Sequence, residues 1–125
     1  MRVQALRQLA LSLPHTRASL QWGGIAFKVE EKVFLFASSE ADTVEKIVFK
    51  CTPEEFDQLT ELDGIAQAAY FAKRHWVSVE DLLALPGDEL QRRIRRSYDL
   101  VVAKLPKKVQ ATLAAAETKK PRKRR

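Results

Sequence analysis

Three short runs of β-branched and aromatic residues stand close together near the start of the chain, and they constrain its fold more than any other feature. The runs occupy residues 20–22, 25–29 and 33–37. Gly23-Gly24 separates the first two runs, and three charged residues separate the second from the third. Because connections this short join neighbouring strands, the pattern predicts two or three antiparallel strands. The second connection lacks the glycine that a tight hairpin turn prefers.

Amphipathic helices are predicted on both sides of this β-rich stretch. Apolar residues recur three or four positions apart over residues 2–13, and Pro14 ends that helix. Near the C-terminus, a longer helix begins after Pro86 and carries an apolar stripe to about Leu105, where Pro106 stops it.

Two further strands and a loop are predicted between these helices. Residues 44–50 alternate as a strand, with one face formed by Val44, Lys46, Val48 and Lys50. Residues 75–80 alternate in the same way, whereas residues 38–43 form a polar loop.

The best-specified helix start is Thr52-Pro53-Glu54-Glu55, with a capping hydroxyl, a proline at the first position and a glutamate at the third. This helix is predicted to end at Gly64, with Leu62 facing inward. Cys51 occupies the position before the cap, where a small apolar side chain packs at the helix entrance. It is the single cysteine and cannot form an internal disulfide.

Length and composition place the chain among soluble globular proteins with one hydrophobic core. It has 125 residues, of which 46% are hydrophobic and 30% charged. The longest strong apolar run, residues 33–37, is too short to cross a bilayer, and the N-terminus lacks the pattern of a signal peptide. We therefore expect a cytoplasmic protein with no membrane partner.

The net positive charge is confined to the C-terminus. The chain has 22 Lys and Arg against 16 Asp and Glu, and six of the basic residues fall in the last seven positions. These six are Lys119, Lys120, Arg122, Lys123, Arg124 and Arg125. We expect residues 1–113 to form a single domain and residues 114–125 to form a basic, disordered tail that attracts phosphates.

The segment Lys73-Arg74-His75-Trp76 joins cations to an indole at the start of a predicted strand. If His75 packs inward, Arg74 and Trp76 share the outer face and form a stacking surface suited to single-stranded nucleic acid. The alternative is structural: Trp76 is buried against a helix, or it covers the sheet while Arg74 stacks on it. Aromatic residues of this kind are more often structural, so the structural alternative is favoured. Trp22 could lie on the same face of the sheet as Trp76.

Other candidate sites are weaker. Three of the four arginines at 92, 93, 95 and 96 have an acidic partner four positions away, which favours a solvated, self-neutralised helix face. Neither histidine has a partner carboxylate at motif spacing, and no metal-binding or phosphate-binding motif occurs, so we expect no metal and no cofactor. An enzyme assembled from scattered residues such as Tyr70, His75 and Asp99 ranks last.

Several segments together resemble the MmcQ/YjbR family of small bacterial proteins. They read ALSLP at 10–14, WG at 22–23, FKV at 27–29, KCTP at 50–53, YFAKRHWV at 70–77 and SYDLVVAKLPKK at 97–108. The resemblance implies an α+β fold similar to the bacterial frataxin homologue, CyaY: an antiparallel sheet covered on one face by the N- and C-terminal helices. Our element order agrees with that. Iron binding of the frataxin type needs an acidic first helix, and the first helix here has no acidic residue.

The family is commonly labelled DNA-binding and supplies no catalytic residues to transfer. The candidate binding residues that match its motifs are Lys73, Arg74, Trp76, Lys104, Lys107 and Lys108. The leading hypothesis is a non-enzymatic, monomeric protein that binds DNA or another nucleic acid weakly, aided by the tail. The alternative is a protein-interaction or small-ligand module that uses an exposed sheet face. One departure from the family is Glu30-Glu31, which replaces a frequent turn glycine with acid.

Overall fold

Four helices and six strands make up the part of the chain that the structure describes. The structure is a computed structural model that describes residues 1–68 and 75–119. The helices are α1 (Val3–Leu11), α2 (Pro53–Thr60), α3 (Gly87–Val102) and α4 (Lys107–Lys119). The strands are β1 (Thr16–Gln21), β2 (Gly24–Val29), β3 (Lys32–Glu40), β4 (Thr43–Lys50), β5 (Ile65–Gln67) and β6 (Trp76–Val79). Among these residues no helix is both long and apolar enough to reach across a bilayer.

The strands form one antiparallel sheet in the order β1-β2-β3-β4-β6-β5. The predicted antiparallel pairing is confirmed, and β1 to β4 form a continuous meander. The polar loop predicted at 38–43 is wrong, because β3 continues to Glu40 and β4 begins at Thr43. Polar side chains there do not prevent their backbones from pairing across the two strands.

Two of the hairpin turns have positive φ at both central residues, the pattern of a type I′ turn. Trp22 and Gly23 have φ of 55° and 77°, and Glu30 and Glu31 have φ of 48° and 67°. Type I′ turns match the right-handed twist of the strands they join. The second turn therefore forms without glycine.

Ion pairs accompany the strained second turn. His15 Nδ1 lies 2.8 Å from a carboxylate oxygen of Glu30, and the guanidinium of Arg17 donates two hydrogen bonds to Glu31. The Arg17 guanidinium holds the pKa of the Glu31 carboxyl below its usual value. Glu30 and Glu31, which replace the turn glycine frequent in the family, thus have side-chain partners on and beside β1.

Two irregularities in strand pairing change which side chains face the core. One lies between Phe27 and Lys28, and it lets the successive residues Phe34 and Leu35 both enter the core. The other leaves Glu45 as an extra residue on β4, which turns Val44 to the same face as Ile47. The prediction that Val44 and Lys46 share a face is therefore wrong.

Helices α1 and α3 cover one face of the sheet, as the sequence predicted. We call this the inner face. The predicted α1 stripe supplies the buried Leu6 and Ala10. The predicted α3 stripe supplies Leu90, Ile94, Tyr98 and Val101. These side chains join the inner face of the sheet in the main core.

Two buried side chains of α3 fix this helix to the sheet by hydrogen bonds. Ser97 Oγ accepts a bond of 2.8 Å from the backbone N–H of Lys50 and donates one of 2.7 Å to the carbonyl of Phe34. The Tyr98 hydroxyl donates a bond of 2.8 Å to the carbonyl of Pro14. One hydroxyl therefore satisfies the hydrogen bonding of two backbone groups of the sheet, the Lys50 N–H and the Phe34 carbonyl.

The C-terminal region differs from the prediction. Helix α3 ends at Val102, and α4 follows Pro106 with Leu113 in the main core. Residues 114–119, expected to begin a disordered tail, continue as α4. Alanine has the highest helix propensity, and alanines are frequent in this stretch, so the helix is favoured. Residues 120–125 of the predicted tail lie outside the described residues.

The capping box at the start of α2 forms as predicted. The Glu55 N–H donates to Thr52 Oγ1 at 3.2 Å, and the Thr52 N–H donates to Glu55 Oε1 at 2.9 Å. The helix ends earlier than predicted, at Thr60, and Leu62 is 43% exposed and does not face inward. The turn at Gly64 lies beyond the helix end.

Cys51 is buried beside this capping box, in the structural role that the sequence indicated. Its thiol donates to the carbonyl of His75 at 3.5 Å. Burial first, and then the charge of Glu55, raises the pKa of the Cys51 thiol to about 12. A thiol with such a pKa is protonated at neutral pH and is a poor nucleophile.

Candidate functional site

The face of the sheet opposite α1 and α3, which we call the outer face, holds a second and smaller apolar cluster. Its buried members are Ala26, Phe36, Val48, Ala68 and Trp76. All of them come from strands, apart from Ala68, which follows β5. Strand register puts Ala26, Phe36 and Val48 side by side as an apolar row across the sheet.

Trp76 lies on the outer face, as strand alternation predicted, but it is only 8% exposed. It pairs with Lys50 across β4 and β6, and Lys50 Nζ lies 5.9 Å from the centre of the indole ring. The ring is buried, as in the structural alternative, but its buried apolar neighbours come from or follow strands, where that alternative placed a helix. A buried ring offers no accessible stacking surface. Lys73 and Arg74, predicted as its neighbours on this site, lie outside the described residues.

Trp22 is the accessible tryptophan of this face, with 66% of its surface exposed. It stands in the β1–β2 turn, and its indole packs on Phe36 with ring centres 5.7 Å apart and planes tilted by 51°. The two tryptophans do share one face, as the sequence had allowed. Their exposures differ because Trp22 projects from a turn, whereas Trp76 is in a strand paired on both sides.

Three half-buried lysines surround the apolar row of the outer face. Strand register places Lys46 on one side of the row, and Lys28 and Lys50 on the other. Lys46 and Lys50 are four residues apart on β4, which corresponds to about 13 Å. Within the described ranges, none of these three lysines takes part in an ion pair.

The basic residues between α3 and α4 continue this positive surface. The pKa of Lys50 is lowered, first by burial and then by the positive charge of Lys104, which places Lys104 within electrostatic reach. Lys104, Lys107 and Lys108 are all exposed. Of these three predicted residues, Lys104 is the one that the structure places near Lys50, and Lys107 and Lys108 begin α4.

An acidic pair limits the positive surface at the β3–β4 turn. The carboxyls of Glu40 and Glu45 share a hydrogen bond, which raises the pKa of Glu45. Both side chains are exposed, beyond Lys46 along the hairpin. An anionic ligand is therefore disfavoured at this corner and favoured toward Lys50.

Two polar atoms on or beside the outer face are buried without hydrogen-bond partners in the part of the chain that the structure describes. They are Ser78 Oγ and Gln21 Oε1. Ser78 is 3% exposed and pairs with Val48 across β4 and β6, so its hydroxyl lies among apolar neighbours. Such orphaned groups cost folding free energy.

The arginines of α3 behave as the sequence predicted and form a self-neutralised face. Arg92 and Arg93 both pair with Glu89, and Arg95 pairs with Asp99. Contacts across to α2 were not visible in the sequence: Arg96 lies 3.1 Å from a carboxylate oxygen of Glu55. All four arginines therefore have acidic partners, unlike the lysines of the outer face.

The groups considered for an enzymatic site are engaged elsewhere or lie outside the described residues. The His75 ring packs edge-on against Phe56 at 5.9 Å, and Asp99 pairs with Arg95 at 3.1 Å. Tyr70 falls in the range 69–74, which the structure does not describe. Over residues 1–68 and 75–119, no three His, Cys, Asp or Glu side chains gather as a metal site would require.

Sequence reasoning missed Trp22, Lys28, Lys46 and Lys50 as a group. The alternation of charged and apolar residues in β4 was visible, and it correctly grouped Lys46 with Lys50. It did not show which face of the sheet the helices leave uncovered, because that depends on tertiary packing.

Comparisons with known proteins agree with this architecture. The YjbR family model matches residues 11–100. The crystal structure of Deinococcus radiodurans protein DR2400, which has the family-model domain DUF419, is 25% identical with a TM-score of 0.80, covering 90% of this chain and 88% of its own. A Pseudomonas syringae protein of 22% identity shares the fold with a TM-score of 0.63, over 80% of this chain and 98% of its own. No curated protein matches the chain. Because the family match extends from the end of α1 through most of α3, the chain belongs to the YjbR family.

Proposed function

We propose that the protein is a non-enzymatic nucleic-acid-binding protein whose outer face contacts phosphates through its lysines. The observation that carries this proposal is a contrast in charge pairing. The arginines of α3 are each matched by a carboxylate, whereas Lys28, Lys46 and Lys50 have no ion pair in the described residues. Lysines held in this way on one face remain available to an anionic partner.

The arrangement of these lysines suits an extended polyanion. Lys46 and Lys50 are separated by about 13 Å along β4, so a chain of phosphates that runs parallel to this strand can contact both. From Lys50 the positive surface continues to Lys104, and Lys107 and Lys108 follow at the start of α4. Such a surface has local positive charge even though residues 1–118 carry no net charge.

The basic tail and the segment before Trp76 remain predicted contributors. The tail residues Lys119, Lys120, Arg122, Lys123, Arg124 and Arg125 add sequence-independent attraction to phosphates. Lys73 and Arg74 precede β6 and are proposed to extend the same surface. Trp76 supports the site from beneath, through its contact with Lys50.

The test compares two variants that remove one positive charge each. Lys46→Gln alters the outer face, whereas Arg7→Gln alters α1 in the helix layer on the other side of the sheet. Both are made in a chain that ends after Lys119, which keeps every described element and removes five of the six basic residues of the tail. Affinity for a labelled DNA oligonucleotide is measured over a salt series.

We expect Lys46→Gln to weaken binding and to reduce the salt slope by about one, because one phosphate contact is lost. Arg7→Gln should leave both quantities close to those of the parent chain. Equal losses in the two variants would show that net charge alone governs binding. Absence of DNA binding by the full chain at low salt would refute the proposal.

A second candidate function, protein interaction, is favoured by one observation. Leu20 is 84% exposed in the same hairpin as the exposed Trp22. The two side chains lie on opposite faces of the hairpin, so a protein partner that covers the end of the hairpin would bury both. A photocrosslinking residue at position 20 tests it: one discrete protein adduct in a cell extract supports this function, and its absence contradicts it.

A further inference from the structure

We infer that Trp22 stacks on an unpaired base, so that the outer face selects single-stranded over double-stranded nucleic acid. The inference rests on the proposed function and names its substrate class. Two independent features of Trp22 lead to it, the placement of its ring and the conformation of its backbone. The neighbouring lysine Lys46 supplies the third part of the argument.

The placement of the indole suits stacking. Trp22 is 66% exposed at the tip of the β1–β2 hairpin, while Phe36 contacts the ring at a centre-to-centre distance of 5.7 Å. Phe36 is itself buried in the outer cluster, so it provides a fixed support for the indole. An aromatic ring that packs on a buried ring and keeps most of its surface exposed can accept a base, since every base has a π-face.

The backbone at Trp22 adopts a conformation that is unfavourable for a bulky side chain. Type I′ turns are most favourable with Asn-Gly, and a bulky residue at φ of 55° is strained. Conformations of this kind are often found at functional sites.

A phosphate contact lies at a suitable place beside the ring. Strand register aligns Ile25, near the turn, with Ala37 on β3 and Ile47 on β4, and Lys46 is the residue next to Ile47. Lys46 is therefore two strands, or about 10 Å, from the hairpin end. A nucleotide whose base stacks on Trp22 can direct its backbone toward Lys46. Bases of a duplex are stacked internally and cannot reach a single ring at a hairpin tip.

The substitution Trp22→Asn separates stacking from folding. It creates the preferred Asn-Gly turn, so the hairpin should form at least as well as in the parent chain. Leu20→Ala serves as the matched control, because Leu20 is also exposed in this hairpin but alternates to the opposite face. Thermal unfolding of both variants verifies that the fold is intact.

Affinities for a fluorescein-labelled oligothymidylate and for a duplex of equal charge are measured by anisotropy. We expect Trp22→Asn to weaken single-strand binding about fivefold or more and to leave duplex binding unchanged, whereas Leu20→Ala changes neither. Trp22→Phe should retain much of the affinity, and oligothymidylate should quench the fluorescence of Trp22.

Two results would overturn the inference in distinguishable ways. Single-strand binding by Trp22→Asn that equals the parent's, together with a loss in Lys46→Gln, would reject stacking and leave the phosphate surface in place. Failure of the parent chain to bind either oligonucleotide at low salt would reject both the stacking and the proposed function.

Discussion

The inner and outer faces of the sheet each bury a serine, and the two serines differ in every hydrogen bond. Ser97, between α3 and the sheet, accepts from the Lys50 N–H and donates to the Phe34 carbonyl. Ser78, in β6 on the outer face, is equally buried but has no partner among the residues that the structure describes. The buried hydroxyl of the inner face therefore makes two hydrogen bonds, whereas that of the outer face makes none with the described residues.

Charged groups follow the same division. The arginines of α3 pair with carboxylates of α2 and α3, so the charges of this helix are neutralised locally. The outer face keeps lysines without ion pairs in the described ranges, and it presents Trp22 in a strained turn. The inner side is therefore organised for stability, and the outer side carries the features of a binding surface.

The largest loss of stability is expected from Ser97→Ala, on the inner face. The substitution leaves a buried N–H and a buried carbonyl without partners, so we expect the free energy of unfolding to fall by about 2–4 kcal/mol. Urea denaturation measures it. A loss below about 0.5 kcal/mol would mean that the inner face does not depend on this bridge.

The next largest effect on stability is expected from alkaline pH, through the buried thiol of Cys51. Its pKa in the folded protein is about 12 against an ordinary value of 9.0. Because the folded-state pKa is raised, the thiol stabilises the fold below pH 9 and this contribution is lost as pH rises toward 12. Cys51→Ala should flatten the loss of stability over this range.

The same burial predicts slow alkylation of Cys51. At neutral pH, iodoacetamide should modify the thiol only when the chain unfolds, and mass spectrometry follows the reaction. Rapid modification of the folded protein would show that the thiol is accessible.

The smallest effect is expected from Ser78→Ala on the outer face. Removing a hydroxyl that has no partner should leave the free energy of unfolding unchanged or raise it by up to about 1 kcal/mol. The comparison with Ser97→Ala is direct, since both variants delete one buried hydroxyl. Similar destabilisation in the two would erase the distinction between the faces.

The sequence was sufficient for the elements whose signals are local. The helical stripe of Leu90, Ile94 and Tyr98 and the capping box at Thr52 both form as predicted. Strand pairing in the meander also followed from short connections. These features depend on residues close together in the chain, where periodicity and capping act.

Features that depend on tertiary structure could not be predicted. The extra residue at Glu45 reverses the direction of Val44, and strand alternation alone assumes that no such bulge exists. The exposures of Trp22 and Trp76 follow from a turn and a paired strand on a face that the helices leave uncovered. The lysines of that face become a group only when the sheet has formed.

The most direct test of the binding surface is an NMR titration of the isotope-labelled chain ending after Lys119 with a short single-stranded oligonucleotide. We expect the largest shifts at the Trp22 indole N–H and at the amides around Lys46 and Lys50, with α1 unchanged. Shifts centred on α1, or none at low salt, would contradict the assignment of binding to the outer face.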